Sequence, residues 1–228
     1  EDGRLIAAGL QGKLRMYDPV LATVSSESDL PIPARSFRMS SDGHRMIIIP
    51  TNTKPRPPVL WDLDRDRVIA QLEGSKVQVF SARFIRGDRE ILTAGGDGVA
   101  RRWDGETGRL LQSYRGSPKF LLDAVLAPDG ATVVTGGGDG MLRFWDAASG
   151  ALLWALQAHR SAVAGVHFEG AELVSRGFTG EISRWGLPKL TEASRVEELV
   201  RCLPLHFSER TGGLVDQAPC DTPPARSD

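Results

Sequence analysis

GGDGMLRFWDAASGALLWALQAH, residues 137–159, decides how this chain folds. Asp139-Gly140 between two apolar runs is a hairpin signal, because both central residues tolerate positive φ. Leu142 and Phe144 then alternate with other residues up to Trp145-Asp146, as in a strand buried on one face. AASG is a short polar turn, and ALLWALQ begins another strand. The same phrase stands at residues 95–114 as GGDGVARRWDGETGRLLQSY. Working outward, aromatic anchors recur at Tyr17, Trp61, Trp103, Trp145 and Trp185, at intervals of 44, 42, 42 and 40 residues. The first four are followed by Asp and the last by Gly186. Such a period marks a repeat architecture whose units stack on one another.

Aligned on the anchor, other positions repeat too. Leu14, Leu142 and Ile182 stand three before it, and Met16, Leu60 and Phe144 one before. Ten before it stand Thr51, Thr93, Thr135 and Ser175. A hydroxyl recurring at one offset in a buried strand predicts a repeated hydrogen bond, since an unpaired one is costly. Upstream lies a second turn, at Asp42-Gly43, Gly87-Asp88, Asp129-Gly130 and Glu169-Gly170, after runs such as VQVFSARF and AVAGVHF that favour strands. Each period therefore reads as four short strands joined by tight turns.

Residues 137–159 and 95–114 resemble the body of a WD repeat, and the resemblance extends over about residues 1–186. It implies an all-β, WD-repeat β-propeller of about five four-stranded blades, the first and last incomplete. The blades are expected near 1–30, 31–74, 75–116, 117–158 and 159–186. A C-terminal extension over 187–228 follows, with a helix near 191–203, a hairpin around the glycines of PLHFSERTGGLVDQ, and a mobile end. The resemblance also implies a buried network of a strand Trp, a Ser or Thr, a turn Asp and a His. Trp103, Thr93 and Asp97 would form three of its members, and Trp145, Thr135 and Asp139 three in the next blade. In the last blade Trp185, Ser175 and His159 fit, with Thr179 in place of the Asp. No blade has all four, which predicts less rigidity than in a complete repeat.

Composition narrows the chemistry. The chain has 228 residues, 28 basic and 29 acidic, so no global field draws it to nucleic acid or an anionic membrane. Only Cys202 and Cys220 are present, too few for a disulfide scaffold, and both read as reduced thiols of a cytoplasmic protein, a bridge tying the tail being the alternative. The glycines around Gly95 and Gly137 lack the Gly-Lys-Ser/Thr and the helix of a phosphate loop. Asp62, Asp64, Asp66 and Glu73 have a calcium-loop rhythm, but Arg67 stands where that loop needs Gly. The four histidines show no metal spacing, and no nucleophile motif surrounds them. No catalytic residue, metal or cofactor is therefore expected. Arg102 and Arg184 take slots that are apolar elsewhere, so their stems pack with heads in solvent or they pair with acids of a neighbouring blade. KPRPP, Lys54 to Pro58, replaces a turn and removes amide donors from the strand that follows; it reads as an irregular loop or as a proline-rich ligand.

What remains is a non-catalytic protein-interaction scaffold. By resemblance, one face is built from loops preceding the first strand of each blade and loops between its second and third. On that face the candidate partner-binding residues are Asn52, Lys54, Lys76, Pro118, Lys119, Phe120 and Arg160. The partner is expected to be a protein, a peptide or another domain of the same protein, with no nucleic acid or membrane. The sequence begins inside a blade, which suggests the C-terminal part of a larger, bacterial protein. Missing blades would then come from further sequence or another chain, a self-closing five-blade ring being the alternative. A regulatory module of a kinase or NTPase signalling or defence protein is the second functional expectation.

Overall fold

The computed structural model describes residues 5–8, 13–18, 23–51, 55–186, 205–208 and 213–216, with the backbone alone at 5–8, 16–18, 25, 26, 28 and the last two segments. It divides into two units, Glu1–Trp185 and Gly186–Asp228. The first unit consists of successive antiparallel sheets in which each strand pairs with the next in sequence. β1 (Leu5–Ala8), β2 (Lys13–Asp18) and β3 (Thr23–Asp29) form a three-stranded sheet. β4 (Ala34–Met39), β5 (Arg45–Pro50), β6 (Val59–Asp62) and β7 (Arg67–Gln71) form the second. The third comprises β8 (Val79–Ile85), β9 (Glu90–Gly95), β10 (Val99–Asp104) and β11 (Leu110–Arg115). The fourth is β12 (Leu121–Leu126), β13 (Thr132–Gly137), β14 (Met141–Asp146) and β15 (Leu152–Gln157). β16 (Val163–Glu169), β17 (Glu172–Gly177) and β18 (Ile182–Gly186) make the last, three-stranded sheet. These five sheets are the blades, the first and last short of a strand among the described residues. In the second unit β19 (Leu205–Ser208) and β20 (Gly213–Asp216) pair as a hairpin, as the glycine turn suggests. The helix expected at 191–203, the mobile end and both cysteines fall outside the described residues.

Two irregularities repeat from blade to blade. The first strand of blades two to five shifts register at Ala34/Ser36, Val79/Ser81, Leu121/Asp123 and Val163/Gly165. The pairing of third with fourth strand shifts immediately before the anchor, at Met16/Tyr17, Leu60/Trp61, Arg102/Trp103 and Phe144/Trp145, the extra residue lying on the fourth strand. Each extra residue bends and twists the strand. The repeat is thus one of backbone geometry as well as of residues.

The core lies between blades. Leu14 of blade one packs with Met46, Ile48 and Trp61 of blade two. Ile47 and Leu60 meet Ala82, Ile91 and Trp103 of blade three on the other side. Leu92 and Tyr114 then meet Val133 and Trp145 of blade four. Each indole in these clusters is therefore covered by the preceding blade, and each middle blade buries apolar side chains on both faces.

One polar contact spans three blades. Asp123 Oδ1 on β12 accepts from Ser81 Oγ at 2.7 Å and Arg83 Nη2 at 2.5 Å, both on β8. Its other oxygen accepts from the backbone N–H of Val166 on β16 at 3.0 Å. The residue is 9% exposed. The neighbouring first strands of blades three, four and five are thereby joined through one carboxylate.

Candidate functional site

The recurring hydroxyl meets the anchor in three blades. Trp103 Nε1 donates to Thr93 Oγ1 at 2.9 Å, Trp145 Nε1 to Thr135 Oγ1 at 3.0 Å, and Trp185 Nε1 to Ser175 Oγ at 2.9 Å. Thr51 does not take this place in blade two. Trp61 pairs with Met46, fifteen residues back, whereas Trp103 and Trp145 pair with Ile91 and Val133, twelve back. The β5–β6 connection, which contains KPRPP, carries three additional residues, so counting from the anchor overshoots. Ile48 stands opposite Val59 where Thr93 stands opposite Arg101. The indole N–H of Trp61 is accordingly buried with no hydrogen-bond partner. The proline loop also shortens the strand, since β6 begins at Val59, directly after Pro58.

The acidic members turn to arginines that the repeat pattern did not single out. Arg101 Nη2 reaches Asp97 Oδ2 at 2.7 Å and the carbonyl of Gly74 at 2.7 Å. Arg143 Nη2 reaches Asp139 Oδ2 at 2.6 Å. Both guanidinium groups are buried two residues before the anchor. Burial is the largest influence and opposes ionisation of Asp97 and Asp139, but the arginine hydrogen bonds, the arginine charges and backbone N–H donors together outweigh it and hold both carboxyls below their ordinary value. Each arginine thus supplies the turn carboxylate with donors from within its own hairpin.

Blade five closes its chain differently. His159 Nε2 lies 2.8 Å from Ser175 Oγ, so histidine, serine and Trp185 form a connected set. Glu181, not Thr179, brings the acid. Its Oε1 accepts from Ser161 Oγ at 2.7 Å and lies 3.7 Å from His159 Nδ1. Thr179 Oγ1 donates to the other oxygen. Hydrogen bonds from Thr179 and then Ser161 pull the Glu181 carboxyl down to about 2. A Cβ added to Gly177 would fall 2.3 Å from the Glu181 carboxyl group, as one on Gly137 would fall 2.4 Å from Asp139 Oδ1 and one on Gly95 2.7 Å from Asp97 Oδ1. Three carboxylates from two sequence offsets therefore rest over the same glycine. The longer glutamate reaches back to a place that the fixed offset assigns to Thr179.

Arg102 and Arg184 pair within their own blades, neither free in solvent nor bridged to a neighbour as the sequence suggests. Arg102 Nη1 lies 3.2 Å from Glu90 Oε2 on β9, and Arg184 Nη1 lies 2.7 Å from Glu169 Oε2 on β16. Glu90 stands opposite Asp104, diagonal to Arg102 on the adjacent strand, whereas the Arg184 side chain reaches past β17 to Glu169. Asp62 accepts from the backbone N–H groups of Asp64 at 3.1 Å and Arg65 at 3.0 Å, fixing the turn after its strand.

The loops before each first strand and those between second and third strands share one end of the sheets. Gly96 N–H donates to Gln78 C=O at 2.7 Å, Gly138 N–H to Phe120 C=O at 2.8 Å, and Phe178 N–H to Ala162 C=O at 2.8 Å. Successive blades join as well, since His159 N–H donates to Gly140 C=O at 3.1 Å. Gly98 and Gly140 have φ of +72° and +79°, and a Cβ on either would fall 2.5 Å or less from a carbonyl oxygen of the next loop. Glycine permits both the conformation and the approach. Lys76, Pro118, Lys119, Phe120 and Arg160 lie in these loops and are exposed. Asn52 and Lys54 lie outside the described residues. Phe120 sits 6.0 Å from Phe80, centroid to centroid, and the Arg35 guanidinium lies 5.8 Å from the Phe80 ring. Sequence reading missed Arg35 and Phe80, whose place in the row follows from the bulge after Val79.

No group of three or more His, Cys, Asp or Glu placed to hold a metal occurs among the described residues. No described helix is long and apolar enough to cross a membrane. Residues 108–146 match the family model WD40, described as WD domain, G-beta repeat. The matched stretch runs through β11 to β14, so the sequence repeat straddles two sheets, taking the last strand of one blade and three of the next. No curated protein matches the chain. The serial antiparallel sheets, their repeated bulges and this match make the fold a WD-repeat β-propeller.

Proposed function

We propose that this chain is a non-catalytic scaffold that binds a protein partner on the end carrying Lys76, Lys119, Phe120 and Arg160. WD repeats generally mediate protein–protein interaction. The observation that carries the choice of face is the hydrogen-bonded continuity of its loops, from Gly96 and Gln78 through Gly140 and His159 to Phe178. A platform already ordered before binding loses little conformational freedom when a partner lands. Exposed aromatic and arginine side chains supply anchors. The acids around the face are engaged inside their blades, which supports holding and positioning over chemistry.

Triple replacement of Lys119, Phe120 and Arg160 by alanine tests this. The variant should retain the thermal transition of the parent chain yet lose the proteins that the parent captures in affinity purification. If the same proteins are recovered in equal amount, this face is not the binding surface.

A further inference from the structure

We propose that this face takes an extended acidic peptide segment of a partner protein, with one apolar side chain seated beside Phe120. The proposal rests on the face being the binding surface and adds the chemistry of what it binds.

The first support is a charge asymmetry created by internal pairing. Asp97 and Asp139 are bound by Arg101 and Arg143, and Glu181 by Ser161 and Thr179. Lys76, Lys119 and Arg160, from three successive loops, are exposed and form no ion pair with another described residue. Glu73 is the remaining acid of these loops. At the opposite end the signs alternate: Asp64 and Asp66 stand beside Arg65, Glu106 beside Arg109, and Asp88 beside Arg89. A near-neutral chain thus presents one end whose unpaired side chains are mainly cationic. Such a surface attracts acidic partners and repels basic ones.

The second support is apolar. Val77, Phe120 and Phe178 on the same loops are 41%, 38% and 74% exposed. Phe178 follows the last residue of β17, where Gly96 and Gly138 follow β9 and β13. A Cβ on Gly96 would touch the Phe80 ring at 3.3 Å, and one on Gly138 would strike the Phe120 ring at 2.4 Å. Aromatic rings therefore lie flush over these two glycines, while the next blade raises a side chain at the equivalent position. Cations interleaved with exposed aromatics would also suit a single-stranded nucleic acid. Following a phosphate backbone calls for a continuous cationic groove with successive bases stacked on aromatic faces. Three loops with one head each fit a short acidic peptide better.

Fluorescence anisotropy on the intact chain separates these possibilities. The probes are a labelled Asp/Glu-rich peptide with one central phenylalanine, its phenylalanine-to-serine form, its Lys/Arg-rich counterpart, and labelled oligo-dT. The acidic phenylalanine peptide should bind, and removing its aromatic should weaken binding by roughly tenfold or more. Raising salt should weaken it further, and the basic peptide should not bind. Lys119→Glu with Arg160→Glu should abolish binding with the thermal transition unchanged. Phe120→Ser should match the loss caused by the peptide's serine. Equal binding of the basic peptide or tighter binding of oligo-dT overturns the proposal, as does undiminished binding to the charge-reversed variant. If no acidic peptide binds but the triple alanine variant loses its captured partners, the face stands and its acidic-peptide chemistry is wrong. If capture is also unaffected, the face itself is wrong.

Discussion

At the residue scale, the hydroxyl beneath each indole is a local hydrogen bond with a measurable weight. Thr135→Val leaves Trp145 Nε1 buried and unpartnered, and should destabilise the chain by about 1–3 kcal/mol in urea unfolding. A loss under about 0.5 kcal/mol would mean that the indole finds another acceptor. Trp61 lacks such a partner, so Ile48→Thr should be near neutral, relief of the orphaned indole N–H (about 1–3 kcal/mol) offsetting about 1.6 kcal/mol for the two buried carbons lost. Two histidines carry opposite pH signatures. Burial holds His159 below its ordinary 6.5, against the pull of Glu181. The unfolded chain then takes the proton more readily, so this stability is present above 6.5 and is lost as pH falls toward the folded value. His44 lies on the surface, where its hydrogen bond to Asp64 raises it. Its contribution exists below 6.5 and disappears as pH rises through the folded value, weakened throughout by solvent screening. Unfolding midpoints measured from about pH 7 to about pH 5 should fall in the parent chain and fall less in His159→Gln. Parallel curves would remove His159 from this account.

At the element scale, what could be read from the sequence was whatever keeps a fixed offset from the anchor. Asp139-Gly140, the alternation into Trp145 and the turn at AASG follow from local backbone rules, and the blades follow from their repetition. What escaped depends on lengths and reaches that no local rule contains. Thr51 was placed by counting, but the lengthened β5–β6 connection moves Ile48 into its position. Glu181 stands two residues beyond the fixed offset and spans the gap with one more methylene. Arg101 and Arg143 read as ordinary strand arginines, since their acids become neighbours only once the hairpin forms. Arg35 and Phe80 join Phe120 only across blades. The turns themselves are testable. Gly140→Ala forces a Cβ to within 2.2 Å of the His159 carbonyl oxygen, whereas a Cβ on Gly170 meets nothing within 4 Å. Both variants adopt an unfavourable left-handed conformation at about 1–2 kcal/mol. Only Gly140→Ala must also displace backbone, so its melting temperature should drop clearly further. Equal drops would show that the neighbouring loop yields freely.

At the scale of the whole molecule, a stack whose blades touch mainly their sequence neighbours behaves as a one-dimensional array, with stability set by each unit and by its interfaces. The indole clusters supply apolar coupling between adjacent blades. Asp123 differs in kind, because Ser81, Arg83 and Val166 belong to blades that it reaches on both sides. In the language of such arrays it joins two nearest-neighbour couplings in one side chain, so that the two interfaces of blade four are not independent. Arrays whose interfaces are independent can fray unit by unit, while a carboxylate shared by two interfaces favours three units melting as one. Tryptophan fluorescence and far-ultraviolet circular dichroism should therefore give coincident urea transitions in the parent chain. In Asp123→Ala the two curves should separate and the slopes decrease. Coincident, equally steep curves in the variant would show that the interfaces alone enforce cooperativity. If they separate, a single carboxylate determines how many blades count as one thermodynamic domain.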